Sequence, residues 1–422
     1  MNAPEAPARD TATPAGNRRA LAFIVLLVLI DTMSFGLVIP VLPDLVMTLG
    51  GVSLSEASAI GGWLVMSFAI AQFVASPILG GLSDRYGRRP VLLISMAGHA
   101  IAFMGAALAP NLFLLLLARI LSGLTGASYS TAYAYIADVT PPDRRAQNFG
   151  LVGVAFGLGF MIGPALGGLL GGIDHRLPFL AASIACVLNF ALGWFVLPES
   201  LTRHLRRPFS LARSNPFSTF RRITLLGGPL AILAITHFLW WFALQAQHII
   251  WPYYTQYRFG WSAQEVGLSL GLVGGLAVLV NGLVVKRAVR RFGEPRALRI
   301  GLGCGAAAMA LYALADAPPL LILGILIGSL GALAPASLQA LATTLAPANA
   351  QGELQGALNA ISSITIVLGP PIYAQLFANV SGTDPLFRLP GAPFFLASTL
   401  ALAAFLLVTL RIPAGVRRRH AA

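Results

Sequence analysis

Twelve apolar runs, each separated from the next by a short polar break, fill this chain from about residue 20 to residue 411. Crossing a hydrocarbon core of roughly 30 Å takes about 20 helical residues, and the runs have that length. They fall near residues 20–48, 56–79, 91–109, 111–137, 149–172, 177–197, 223–250, 262–285, 298–316, 318–343, 353–378 and 391–411. In lipid every backbone polar group must be satisfied internally, so the runs read as helices and the chain as an all-α membrane protein.

Composition agrees: 57% of residues are hydrophobic and 10% charged, against roughly 25% charged in a soluble domain. The 44 Gly and 28 Pro then signify broken or closely packed helices, tolerated where neighbouring helices re-satisfy freed backbone groups. A net charge of +13 would suggest nucleic acid as a partner of a soluble protein, but here the basic residues sit in short loops, which excludes it. With an even number of crossings both termini share a side, and that side carries 24 of the 28 Lys and Arg. Only Arg176, Arg258 and Arg388 fall opposite. By the positive-inside rule both termini are cytoplasmic, in a multi-pass membrane protein. Residues 1–19 read as a disordered cytoplasmic tail, and the run from Ala20 exceeds a signal-peptide core of about 7 to 15 residues. Cys186 and Cys304 lie within apolar runs and read as small buried hydrophobes. Neither a P-loop nor a metal-ligand cluster is visible in the sequence.

The chain repeats itself. A shift of 206 residues brings Tyr86-Gly87 onto Phe292-Gly293, Leu124 onto Leu330, Gly150 onto Gly356 and Gly163-Pro164 onto Gly369-Pro370. The predicted organisation is a six-helix bundle over 20–198, a polar cytoplasmic linker over 199–222, a second bundle over 223–411 and a basic tail over 412–422. Parallel six-helix repeats place a site near mid-membrane, where the halves meet.

The loop after the second run reads Gly80-Gly81-Leu82-Ser83-Asp84-Arg85-Tyr86-Gly87-Arg88-Arg89-Pro90. Its glycines suit a tight turn, and Asp84 suits a helix N-terminus or an arginine. Taken singly, its arginines need no role beyond orienting the chain. In the fifth run Gly159, Gly163 and Gly167 recur every four residues and permit close helix approach, while Pro164, followed by Gly168, removes a backbone donor. Helix packing alone would explain these glycines.

Two charged residues, Asp31 and Arg119, fall deep within predicted helices, each at a cost of roughly 2.5 to 3.5 kcal/mol. They are complementary, either as a proton-coupling pair or as a static ion pair. His99, alone in the third run, reads as packing. In the seventh run His237, Trp241, Gln245 and His248 share a helical face. A second stripe, on the fourth run, contains Arg119, Ser122, Gly126, Ser130 and Tyr133, and the repeat matches Tyr133 to Gln339. Such stripes suit either a planar amphipathic substrate or bonding between helices.

Beyond the tail, these motifs resemble the tetracycline-resistance class of drug:proton antiporters of the major facilitator superfamily. The resemblance extends to Leu197-Pro198-Glu199-Ser200, Asn215-Pro216-Phe217 and Gly352-Glu353-Leu354-Gln355-Gly356. It implies twelve helices in two pseudo-symmetric six-helix bundles and alternating access. It also implies export of a small amphipathic drug, tetracycline-like as first candidate, against protons. No cofactor is expected beyond the proton gradient, with magnesium only as part of a substrate complex, and the protein is expected to be a monomer. By the same resemblance, Gly80, Asp84, Arg85, Gly87, Arg88 and Arg89 belong to a cytoplasmic gate latch between the halves. The counterpart loop keeps Gly293 but has Arg290 at the place of Asp84. The segment Gly159 to Gly168 looks like the motif of proton-coupled antiporters. Asp31 ahead of Pro40 and Pro43, and Arg119 in Arg119-Ile120-Leu121-Ser122-Gly123, resemble the coupling motifs of helices one and four. One key acid of the class, in helix nine, is absent here: Gly305 stands in its place, and Asp316 lies at the far end of that helix. A transporter of a nutrient or other metabolite is the alternative, against which the glycine-proline motif argues. A receptor or intramembrane enzyme is disfavoured by the intact gate loop and the lack of a nucleophile or metal constellation.

Overall fold

The computed structural model describes residues 14–126, 128–141, 144–203, 206, 208–209, 228–347, 350–382 and 388–412. Among these, twelve helices are long and apolar enough to cross a membrane, and there are no strands. In the first half α1 runs from Pro14–Val38 through a 3-10 turn into Leu42–Gly50, followed by α2 (Leu54–Tyr86) and α3 (Arg88–Leu108). Then come α4 (Leu112–Thr125 and Ser128–Val139), α5 (Arg145–Gly171) and α6 (Leu177–Val196). The second half holds α7 (Gly228–Phe259) and α8 (Ala263–Leu279, a π turn, then Val285–Phe292). It continues with α9 (Glu294–Leu314), α10 (Pro318–Ser329 and Leu333–Leu345), α11 (Gln351–Ser381) and α12 (Ala392–Arg411).

Several boundaries differ from the sequence reading, among them the end of α8, which continues past residue 285 to Phe292. Helix α1 begins at Pro14, inside the stretch read as tail; residues 1–13, most of the linker and the basic tail after 412 lie outside the described residues. Helix α2 continues through Gly80 and Gly81 to Tyr86, so the turn is made by Gly87 alone, at φ +112°. Its repeat mate Gly293, at φ +77°, makes the same turn between α8 and α9. Helix α7 extends past Pro252 to Phe259 because its polar aromatic end is buried and bonded: Trp251 Nε1 donates to Ser269 Oγ at 2.9 Å and Tyr254 Oη to the Tyr312 carbonyl at 2.6 Å. An apolar window has no means of detecting partners on other helices.

The repeat recurs in local chemistry. Ser53 and Glu56 form a reciprocal capping box that starts α2, and Ser262 and Glu265 form the same box at the start of α8. Each box satisfies two backbone donors that water would otherwise have to reach.

Within the first half α1 packs on α5 and α6, α2 on α4, and α3 on α4 and α6; in the second, α7 packs on α11 and α12, and α9 on α10 and α12. Outward-facing Ile94, Ile101 and Leu108 on α3 remain exposed, as lipid contact requires. The halves meet along two seams, α5 on α8 and α2 on α11. Along the first, a Cβ on Gly168 would lie 2.5 Å from the Ala263 carbonyl oxygen and 3.0 Å from Gly267 Cα, whereas Gly150, Gly153 and Gly282 have open space beside them. Along the second, a Cβ on Gly62 would lie 2.5 Å from Ala374 Cβ, and Ser55 Oγ donates to the Ser381 carbonyl at 2.7 Å. Both seams are therefore tight at the end bearing Ser53 and Ser262 and part toward the end bearing Gly87 and Gly293.

The shared face of Gly159, Gly163 and Gly167 lies against α1. A Cβ on Gly159 would approach the Leu29 carbonyl oxygen to 2.7 Å, one on Gly163 the Met33 carbonyl oxygen to 2.6 Å, and one on Gly167 would collide with Leu37. Gly163→Leu is expected to destabilise the protein by at least about 1 to 3 kcal/mol through overpacking. Gly150→Leu, whose Cβ enters open space, should leave it folded. Thermal unfolding in detergent compares the two, and equal melting temperatures would remove the close-packing argument.

Candidate functional site

The loop end of the first half is held by two carboxylates that sequence reasoning missed. Glu199, just beyond α6, accepts from the backbone of Arg88 at 2.8 Å and of Arg89 at 3.3 Å, capping the N-terminus of α3. A side chain on Gly87 would collide with it. Arg88 Nη1 contacts Asp84 at 2.5 Å and its Nε contacts Asp138 of α4 at 3.1 Å. Ser200 Oγ also donates to Asp138, at 3.1 Å. Arg89 donates to the Trp194 carbonyl at 2.6 Å, and Arg85 lies over the Tyr86 ring. These bonds tie α2, α3, α4 and the end of α6 together, all within the first half. The expected bond across the halves is not what Asp84 and Arg88 make in this state. Gly80 lies inside α2 and borders the cavity between the halves instead of turning the chain.

Deep in the first half, Asp31 of α1 has an ion-pair partner that the sequence reading assigned to packing. His99 Nδ1 lies 2.9 Å from Asp31 Oδ1, and His99 Nε2 lies 3.2 Å from the Ser122 carbonyl of α4. Both side chains are largely buried. Arg119 is buried one turn from Ser122, with its guanidinium 5.7 Å from the Phe179 ring centroid and its Nε without a hydrogen-bond partner. It lies near enough to act electrostatically on His99. The buried charge group thus spans α1, α3 and α4, and His99 belongs to it. A histidine amid apolar neighbours was the available signal; its spacing to Asp31 was not readable from the chain.

Between α2 and α11 a cavity of about 480 Å³ follows the parting seam, within the roughly 300 to 1,000 Å³ usual for ligand sites. Gln72, Phe73 and Ser76 line one wall, Asn359, Ser363 and Ile366 the other, and Ser130 of α4 borders it. The stripe read on α4 is split: Arg119 and Ser122 turn inward, the helix breaks at Gly126, whose carbonyl accepts from Gln72 Nε2 at 3.0 Å, and Ser130 faces the cavity. Tyr133 is exposed with its ring 5.4 Å from that of Phe149, and Gln339 is partly buried.

The stripe on α7 forms one face, but most of it packs against α11. His237 Nε2 meets Ser362 Oγ at 2.8 Å and Gln245 Nε2 donates to the Thr365 carbonyl at 3.3 Å. Ser362 and Thr365 thus face α7 while Ser363 and Ile366 face the cavity. Trp241 Nε1 is buried without a partner. His248 reaches the first half, its ring 6.0 Å from that of Phe160 on α5. At the helix-nine position, a Cβ on Gly305 would collide with the indole of Trp240, which is nearly fully buried and also lies 3.1 Å from the Cβ position of Gly331. The place of the missing acid is filled by this ring.

A family model described as the Major Facilitator Superfamily matches residues 24–370 and, in a second register, 233–421. The tetracycline resistance protein, class C, of Escherichia coli is 38% identical over 92% of this chain and 97% of its own length. The class G protein of Vibrio anguillarum is 35% identical over 86% and 92%. Among solved structures, a D-xylose-proton symporter superposes with a TM-score of 0.74 at 18% identity, covering 94% of this chain and 98% of that one. With two six-helix halves meeting around a cavity, the chain belongs to the Major Facilitator Superfamily and, within it, to the family of the tetracycline resistance proteins.

Proposed function

We propose that this protein exports a small amphipathic drug, tetracycline-like as first candidate, in exchange for protons by alternating access. The observation that carries the reading is the buried group of Asp31, His99 and Arg119 in the first half, in a chain that also holds a cavity between its halves and whose relatives are tetracycline resistance proteins. Charge buried in a membrane is costly, and exchangeable protons are a common reason for keeping it there. The Lys and Arg bias assigns the loop end, and with it both termini, to the cytoplasm of a bacterial inner membrane, so the conformation is inward-open. The working unit is a monomer, and magnesium enters only with the substrate.

In this reading the Asp84–Arg88–Asp138 network is the released form of the cytoplasmic gate, and its members exchange partners across the halves when that end closes. Gly80 and Gly87 leave room for the movement and the turn, and Arg85 and Arg89 anchor the loop beside Tyr86 and Trp194. Gly159, Gly163 and Gly167 hold α5 on α1, while Gly168 and the Pro164 backbone, against Gly267, keep the α5–α8 seam close enough to rock. Ser130 is the cavity-lining member of the α4 stripe, and the exposed Tyr133 and His248 with the half-buried Trp241 are further substrate contacts; His237, Gln245 and Gln339 shape α7, α11 and α10.

In everted vesicles an imposed pH gradient should drive tetracycline accumulation by the wild type, while Asp31→Asn should reduce it at least tenfold; an Asp31→Asn protein that still concentrates drug removes Asp31 from coupling. Asp84→Asn should slow transport severalfold with the tetracycline dissociation constant within about twofold of wild type, because the loop controls passage; parallel loss of binding would contradict the gate role. Gly305→Asp alone should destabilise the fold, since Trp240 occupies the space. The double variant Trp240→Ala/Gly305→Asp should fold and strengthen magnesium-dependent tetracycline binding, and a stable Gly305→Asp single variant would refute the filled-site explanation.

A further inference from the structure

The geometry points to His99 as the group that gains and loses the coupling proton, in a dyad with Asp31. This rests on the proton-exchange reading above and names the residue that performs it. A neutral imidazole has one donor nitrogen and one acceptor nitrogen. The Ser122 carbonyl can only accept, so the contact at His99 Nε2 requires a hydrogen on that nitrogen. The contact between Nδ1 and Asp31 Oδ1 at 2.9 Å then needs a second proton between them. An imidazole is ordinarily the stronger base of the two, so that proton belongs to the ring. The dyad in this inward-open state is therefore loaded: imidazolium, carboxylate and guanidinium together carry one net positive charge.

On release, the Nδ1–H bond breaks, its electron pair stays on nitrogen, and the proton leaves to water. A lone pair then faces a carboxylate oxygen, two acceptors with nothing between them, and the α1–α3 contact is lost. The charge left, Asp31 with Arg119, is neutral, and Arg119 has an Nε donor without a partner. Proton release thus changes which helix Asp31 is bound to, and α1 is the helix on which the glycine face of α5 rests. The other groups about the dyad do not carry charge in its place. Cys186 of α6 bonds Ser34 at 3.8 Å, Ser183 donates to the Ala100 carbonyl at 2.8 Å, and the Phe103 ring lies 6.1 Å away.

The test uses magnesium and tetracycline as probe. In detergent, wild-type protein should release protons on probe addition, and its affinity should fall as pH is lowered through the dyad's titration. His99→Gln, which can donate to one partner but takes up no proton, should release none, bind with little pH dependence, and lose gradient-driven accumulation at least tenfold. It should keep exchange of labelled for unlabelled drug within about threefold, a combination that mere misfolding would not give. Gradient-driven accumulation at the wild-type level in His99→Gln would overturn the proposal, as would joint loss of exchange and accumulation in monodisperse protein. If His99→Gln does not fold, the wild type labelled with 15N-histidine decides. One ring passing from imidazolium to neutral over the pH range of the affinity change, and no longer doing so in Asp31→Asn, is the expected result; six invariant rings contradict it. A wild type that neither releases protons nor accumulates the probe overturns the export reading itself.

Discussion

The close approach of α5 to two other helices sets the geometry on which the remainder of this fold depends. Gly159, Gly163 and Gly167 bring α5 against the backbone of α1, and Gly168 brings the same helix against α8 in the other half. Lipid supplies no hydrophobic force between helices, so their association rests on such packing and on weak hydrogen bonds of about 0.6 kcal/mol each. Tight packing along a smooth surface without bulky side chains resists separation but permits rocking. The second seam, where Gly62 meets Ala374 and Ser55 meets Ser381, has the same character. A half turning on both seams keeps one end closed while the other opens.

Charge is distributed to match. The ion pairs recorded among the described residues all lie in the first half: Asp84 and Asp138 around Arg88 at the loop end, and Asp31 with His99 in the interior. At the corresponding depth the second half offers aromatic bulk and neutral polar groups, with Trp240 against Gly305 and His237 against Ser362. The two halves share a backbone plan but differ in content, one holding the buried ion pairs and the other aromatic bulk. The cavity between α2 and α11 presents Gln72, Asn359 and Ser363, neutral groups that suit an amphipathic molecule better than a free ion.

Much of this was legible in the chain because membrane helices announce themselves by length and apolarity, and the repeat by matched Gly and Gly-Pro positions. Gly163 was read as a close-contact residue, and its neighbour is backbone. What escaped had a common cause: dependence on partners distant in sequence. His99 looked like packing because Asp31 lies on another helix, Glu199 looked like linker because the helix start it caps lies 111 residues away, and α7 appeared to end at residue 250 because Tyr254 finds its partner on α9. The turn was read across the whole loop, Gly80 and Gly81 included, for a different reason. Both tolerate helix, and only Gly87 needs a positive φ.

The central claim is that the halves rock about these seams. It is tested most directly by the separation of spin labels at positions 150 on α5 and 282 on α8, both of which have open space beside them, on a background lacking Cys186 and Cys304. The account predicts a long distance in the state described here and a second, shorter population when magnesium-tetracycline is added or the pH changed. A pair at the opposite ends of the same helices should move in the reverse sense. A single unshifted distance at both ends, in protein that transports, would contradict it.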